Sequence, residues 1–391
     1  MSAKETGIIT LLKSAITEES YTLPESFLLD EAVPVMRSHG IIPLCYMGAI
    51  RCGISKTEPA MQEMFKSYCA SLGQSERQLA AVKTLFAAFE AQGIDYLPLK
   101  GCNMKALYPS PELRLMGDAD ILIRLEQYPQ IREIMLHLGY TEGEETDHEL
   151  DWTSQALYVE LHKRLIPSYN KDYFAYYGNG WRLASCHDGH RYRMTPEDEF
   201  VYLFTHFAKH YRDGGIGCRH LLDLWVYLRS YPQLDFIYMR NELERLQLRT
   251  FFDHIYRTIS AWFMDGAWDE QTEHITAFLF SGGSWGNMDN RSLARVVKAS
   301  ELSHFAVPSW VREYLVHCFP PARVIRERYG FFRRCPILLP LGWPVLWLHT
   351  LLFRRHAIST CVDSANQMKD GRAEDYQAML DEVGLRFDFK E

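Results

Sequence analysis

Residues 1–80 carry apolar side chains at intervals of three and four, through Ile8, Ile9, Leu11 and Leu12 and again through Met61, Met64, Phe65, Tyr68 and Leu72. That spacing predicts helices with one buried stripe. Residues 76–92 predict a further amphipathic helix, stopped by Gly93. The period then shortens. Residues 96–99 and 119–123 are apolar runs of strand length, and residues 156–162 alternate Leu157, Val159 and Leu161 with polar neighbours, the two-residue rhythm of a strand. Short helices are predicted over residues 102–107, ended by Pro109-Ser110-Pro111, and over 128–138, ended by Gly139. Residues 181–194 predict a hairpin turning at Asp188-Gly189. Thr195-Pro196-Glu197-Asp198 then restarts helix, with a hydroxyl N-cap, a proline at the first helical position and acids in the first turn. Helices are predicted from there to about residue 305 and again over residues 372–383. The expected organisation is a helical segment over residues 1–80, a mixed core over 81–195 and a helical domain over 196–391. The class is α+β, a small mixed sheet flanked by helices.

Side chains two apart on a strand share a face. Ala119, Ile121 and Ile123 therefore face a core, while Asp118 and Asp120 point together to the other side. Adjacent carboxylates repel unless a cation or proton lies between them, so the pair is a candidate seat for Mg²⁺; solvated acids on an exposed strand face are the alternative. Glu160 and His162 share the polar face of their strand in the same way, and Glu160 would complete a three-carboxylate site if its strand lies beside the Asp pair. Lys100-Gly101 sits at a strand-to-helix junction, where backbone N–H groups can meet a phosphate or simply make a turn. Arg114 is four residues before Asp118, either in reach of a phosphate or paired with a nearby acid. In the helical part Lys209 and Arg219 are candidates for lining a nucleotide cleft, with an Arg219–Asp223 helix pair as the structural alternative for the arginine. His206 and His210 share a helix face but lack a third ligand at metal-like spacing. Cys186-His187-Asp188-Gly189-His190 is read as a hairpin turn rather than a metal motif.

Taken together, the Gly-containing turn before a short helix, the acid-x-acid and the later third acid resemble the nucleotidyltransferase superfamily with the DNA-polymerase-β-like fold. More narrowly, LPLKG…LYPSPELRLMGDADILI followed by YVELH is similar to a branch of uncharacterised bacterial nucleotidyltransferases, closely over residues 94–165 and more loosely through His206–His210 and Gly215–Asp223. The usual Gly-Ser or Gly-Gly is replaced here by Lys100-Gly101-Cys102, which removes a hydroxyl and offers a point charge instead. The resemblance implies transfer of a nucleoside monophosphate from an NTP to an acceptor, with pyrophosphate leaving. It implies Mg²⁺, with Mn²⁺ as an alternative, held by Asp118, Asp120 and Glu160, and triphosphate contacts from Lys100, Gly101, Arg114, Lys209 or Arg219. A sugar, a small molecule, a protein hydroxyl or an RNA end would serve as acceptor; a toxin-like enzyme modifying tRNA ends and a non-catalytic nucleotide- or partner-binding module are the rivals.

Composition narrows the partners. A formal net charge of -8 argues against a broad DNA-binding surface. Nine cysteines without CxxC pairs, and an N-terminus without a signal-like apolar run, fit a reducing cytoplasm. Residues 336–353 are strongly apolar but interrupted by Pro336, Pro340 and Pro344, so a buried segment is expected there rather than a span. The flanking arginines within residues 323–355 leave surface contact with anionic lipid as a further option.

Overall fold

A computed structural model of the chain describes residues 1–284, 286, 288–301, 319, 322, 325, 326, 329, 331, 332, 336–353 and 372–387. It divides into two compact units, one of Met1–Lys209 with Ile216–Trp285, the other of His210–Gly215 with Gly286–Glu391.

The first unit opens with α1 (Ala3–Thr17), α2 (Leu29–Ser38), α3 (Ile42–Arg51) and α4 (Pro59–Ala91). Ser2 and Glu5 form a reciprocal cap on α1. Pro59 starts α4, and the helix then runs without a break through the segment expected to begin at residue 76, ending just before Gly93 at φ 69°. Its buried face includes Ser71 and Gln78 as well as Leu85 and Phe89. The strict apolar stripe is therefore broken by three polar side chains, Ser71, Ser75 and Gln78, of which Ser71 and Gln78 reach partners outside the helix.

A seven-stranded mixed sheet follows, in the order β3-β4-β5-β2-β1-β7-β6. Its strands are β1 (Tyr96–Pro98), β2 (Asp118–Ile123), β3 (Thr141–Glu145), β4 (Glu149–Thr153), β5 (Tyr158–His162), β6 (Ser185–Asp188) and β7 (Arg191–Arg193). The β6–β7 hairpin turns at Gly189, as its sequence predicts. The β3–β4 hairpin was not foreseen. Its first strand, TEGEE, is exposed throughout and has no apolar alternation to betray it, and Leu150 and Trp152 of β4 are its only anchors in the core. One sheet face presents Tyr96, Ala119, Ile121, Ile123, Leu150, Trp152, Val159 and Leu161, and Leu85 and Phe89 of α4 join that core with Ile131 and Met135 of α6 (Tyr128–His137). The opposite face carries the polar side chains.

Between β1 and β2 lies a single turn of helix, α5 (Gly101–Met104). The short α7 (Lys171–Tyr177), also unforeseen, precedes the last hairpin. Then come α8 (Pro196–Arg212), α9 (Cys218–Ser230), α10 (Phe236–Arg245), α11 (Arg249–Phe263) and α12 (Glu270–Phe280). Thr195 caps α8 through the Asp198 N–H at 3.1 Å. Phe200 and Phe204 pack on Phe252, and Trp225 stacks on Phe263 at 4.2 Å.

In the second unit, helices Met288–Glu301 and Arg372–Glu382 pack together. The segment expected to be buried is not. Pro336–Leu341 is a 3₁₀ turn and Gly342–Phe353 a 12-residue helix. Leu346 packs with Ile325 and Phe332, but Ile337 is 92% exposed and Leu348 60%. Apolar residues surround this helix on every side, so one packed neighbour covers only part of it. Among the described residues no helix is long and apolar enough to cross a membrane. Of the arginines noted above, Arg323, Arg328, Arg333, Arg334, Arg354 and Arg355 lie outside the described residues.

Candidate active site

β2 and β5 run parallel, and their register sets Asp120 beside Glu160 and Leu122 beside His162. The acids of both strands thus share the sheet face opposite the apolar core. That face is not open to water. Asp120 is 3% exposed and His162 2%, while Asp118 is half-buried and the Glu160 side chain keeps 21% of its surface. Both aspartates share the face opposite the core, as expected, but that face is covered rather than open: Asp120 is enclosed and Asp118 half-buried.

The enclosure comes from β1, α5 and α8. The Leu99 N–H donates to the Asp120 carbonyl at 2.9 Å, extending the β1–β2 pairing by one step. Lys100 follows at φ 39°, a backbone region that costs a non-glycine residue energy. Its ammonium lies 2.8 Å from Asp120 Oδ1. Gly101 next to it approaches Met116 so closely that a Cβ would sit 3.1 Å from Met116 Cγ. As α5 is a single turn, what it can give a phosphate is local N–H groups rather than a summed dipole. Tyr202 of α8 is fully buried, with its hydroxyl beside the Lys100 ammonium and within electrostatic reach of Asp120.

His162 was left without a role in the sequence reading and proves central. Its Nε2 is 3.0 Å from Asp120 Oδ1 and 3.6 Å from Glu160 Oε2. The only sequence signal was its two-residue spacing from Glu160. Asp120, Glu160 and His162 offer donor atoms that all lie within 4.8 Å of one another.

Charge follows from this packing. Burial, then the neighbouring Asp120 and Glu160, push the Asp118 carboxyl up to about 7. Burial works the same way on Asp120, but the Lys100 ammonium and the His162 hydrogen bond outweigh it and hold that carboxyl below the usual range. Burial would discharge Lys100, yet Asp120 outweighs it and keeps the ammonium protonated.

The remaining candidates hold the approach to β2. Arg114 is buried and forks onto Asp223 of α9, Nε to Oδ1 at 2.8 Å and Nη2 to Oδ2 at 3.0 Å, and the Tyr108 hydroxyl donates to the same carboxylate at 2.6 Å. Arg219 is not the partner of Asp223 expected from its i,i+4 spacing; its Nη1 donates to the Leu115 carbonyl at 3.3 Å. Lys105 donates to the Arg114 carbonyl and Gln78 to the Met116 carbonyl, each at 2.8 Å, and Ser71 to that of Glu112. Side chains from α4, α9 and the turn after α5 thereby tie down successive carbonyls of the loop that delivers Asp118. Lys209 is half-buried on α8, two helical turns beyond Tyr202 and on its face of the helix. Among the described residues, His206 and His210 belong to no group of converging metal donors.

A family model described as an uncharacterised nucleotidyltransferase matches residues 25–264, which takes in the sheet, α5 and the helices through α11. The chain belongs to that family. No curated protein and no solved structure matches it.

Proposed function

We propose that this nucleotidyltransferase is a divalent-metal enzyme that moves a nucleoside monophosphate from an NTP to an acceptor hydroxyl. The observation that carries the reading is the register of β2 and β5, which sets Asp120 beside Glu160, with Asp118 on the same strand face and the Lys100 ammonium on Asp120. A hard cation suits the carboxylates of Asp118, Asp120 and Glu160, because burial and then the neighbouring acids raise Asp118, and positive charge between the three favours their ionised forms. Bound there, Mg²⁺ or Mn²⁺ supplies charge neutralisation to the phosphates and to the oxygens that attack and leave.

The acceptor oxygen bonds to the α-phosphorus as the bond to the bridging oxygen breaks, pyrophosphate departs, and Glu160 takes the acceptor proton and passes it to solvent. Lys100 and the Gly101 N–H serve the triphosphate, with the buried Tyr202 hydroxyl beside Lys100. Lys209, and Arg219 beside the Asp118 loop, are assigned to its outer phosphates. The Arg114 fork is already engaged by Asp223, so we assign Arg114 to holding the loop.

Purified chain incubated with each labelled NTP, Mg²⁺ or Mn²⁺ and cell extract should transfer label to an acceptor or to itself. Asp118→Asn should reduce transfer by more than about 100-fold, the scale of losing a principal electrostatic group, with an unchanged circular dichroism spectrum. Wild-type rates in that variant would remove the assignment. A nucleotide-binding module without transfer is the second reading, favoured by the Lys100 ammonium already seated on Asp120; NTP binding without label transfer for all four NTPs would select it.

A further inference from the structure

β4 and β5 pair antiparallel, and Glu149 stands directly across from His162. His148, just before β4, has its Nε2 2.8 Å from the Glu149 carboxylate and its ring centroid 5.8 Å from that of His162. One donor atom from each of the three lies within 4.8 Å of the others. His162 Nε2 faces Asp120, whereas its Nδ1 is buried with no hydrogen-bond partner. Such an orphaned nitrogen is costly to bury, and a ligand that uses it recovers that cost.

We propose that His148, Glu149 and His162 form a second metal site, selective for zinc-like borderline ions and separate from the carboxylate seat of Asp118, Asp120 and Glu160. Two imidazoles and one carboxylate are a donor set that Zn²⁺ and Co²⁺ accept readily and that leaves a coordination position open. Mg²⁺ takes oxygens in near-octahedral geometry and is poorly served by them. Metal–ligand bonds near 2.0–2.1 Å put tetrahedral donors about 3.3 Å apart, so the three must draw in from their present spread. His148 is the one placed to move, since it precedes the strand and keeps 14% of its side-chain surface exposed. Thr146 Oγ1 lies 3.3 Å from His148 Nδ1 and orients the ring as an outer partner. The two seats have no ligand in common; His162 adjoins the other through its Nε2 contact with Asp120. The inference does not depend on nucleotidyl transfer.

The full-length chain, stripped with chelator, is titrated with Co²⁺ at neutral pH, with Zn²⁺ in competition. The expected result is one equivalent of Co²⁺ giving the visible band of a low-coordinate, nitrogen-ligated ion, displaced by Zn²⁺ and insensitive to millimolar Mg²⁺. His148→Ala and Glu149→Gln should each weaken binding by at least about 10-fold, and Asp118→Asn should leave the band in place. A band lost in Asp118→Asn and kept in His148→Ala assigns the ion to the carboxylates and overturns the proposal, as does the absence of a band. If His148→Ala loses its circular dichroism spectrum, Glu149→Gln alone decides. Asp118→Asn is also the variant that tests transfer, so failure of either reading shows in a different measurement.

Discussion

Asp118 and Asp120 are two residues apart and opposite in charge behaviour. The difference is Lys100 and then His162, which touch Asp120 and not Asp118. Because the Asp118 carboxyl titrates near 7 when folded and near 4 when unfolded, the folded form holds a proton that the unfolded form has lost across that interval. Its stabilising contribution is complete below about pH 4 and disappears as pH rises to about 7. Asp118→Asn should therefore flatten that decline and, without metal, raise stability at pH 8 by roughly 1–3 kcal/mol, allowing for partial exposure; urea titrations at pH 5 and pH 8 measure it. Lys100 carries the reverse lesson. Removing its side chain leaves buried Asp120 with His162 as its remaining partner, at a cost of about 3–5 kcal/mol. Since the residue also sits at φ 39°, Lys100→Gly should be more stable than Lys100→Ala by about 1 kcal/mol, measured by the same titration.

The loop from Pro111 to Gly117 is held by other elements rather than by its own regularity. Arg114→Ala leaves the Asp223 carboxylate buried without its fork, and a loss of about 3–5 kcal/mol is expected. Gln78→Ala frees only the Met116 carbonyl and should cost about 1 kcal/mol, yet slow transfer more than that suggests, because it loosens the entry to Asp118; a large fall in kcat beside a small fall in melting temperature is the readout. Strands with alternating or apolar runs, β1, β2 and β5, were legible in the sequence, as were the β6–β7 turn at Gly189 and the Thr195 cap. The polar β3–β4 hairpin was not, because an exposed edge strand needs no buried face to form. Site legibility divides along the same line. The Asp118, Asp120 and Glu160 spacing was readable from two-residue periodicity. The Arg114–Asp223 fork joins residues 109 positions apart, and no local pattern encodes it.

At the scale of the whole molecule, acid groups dominate, with a formal net charge of -8. Retention on a duplex-DNA column at physiological salt is not expected, and elution with the void volume checks this. Millimolar Mg²⁺ with NTP should raise the melting temperature of the wild type and not of Asp118→Asn, through preferential binding to the folded state. The sheet order has a consequence in time. Lys100 is synthesised before Asp118 and Asp120, and Glu160 and His162 follow about forty residues later. At roughly 5–20 residues per second, the aspartates wait several seconds for the strand that completes their site. Throughout that interval the lysine just beyond the neighbouring strand is already available. The growing chain thus has its counter-charge in hand before the third acid arrives, and the most repulsive part of the fold need never assemble unneutralised.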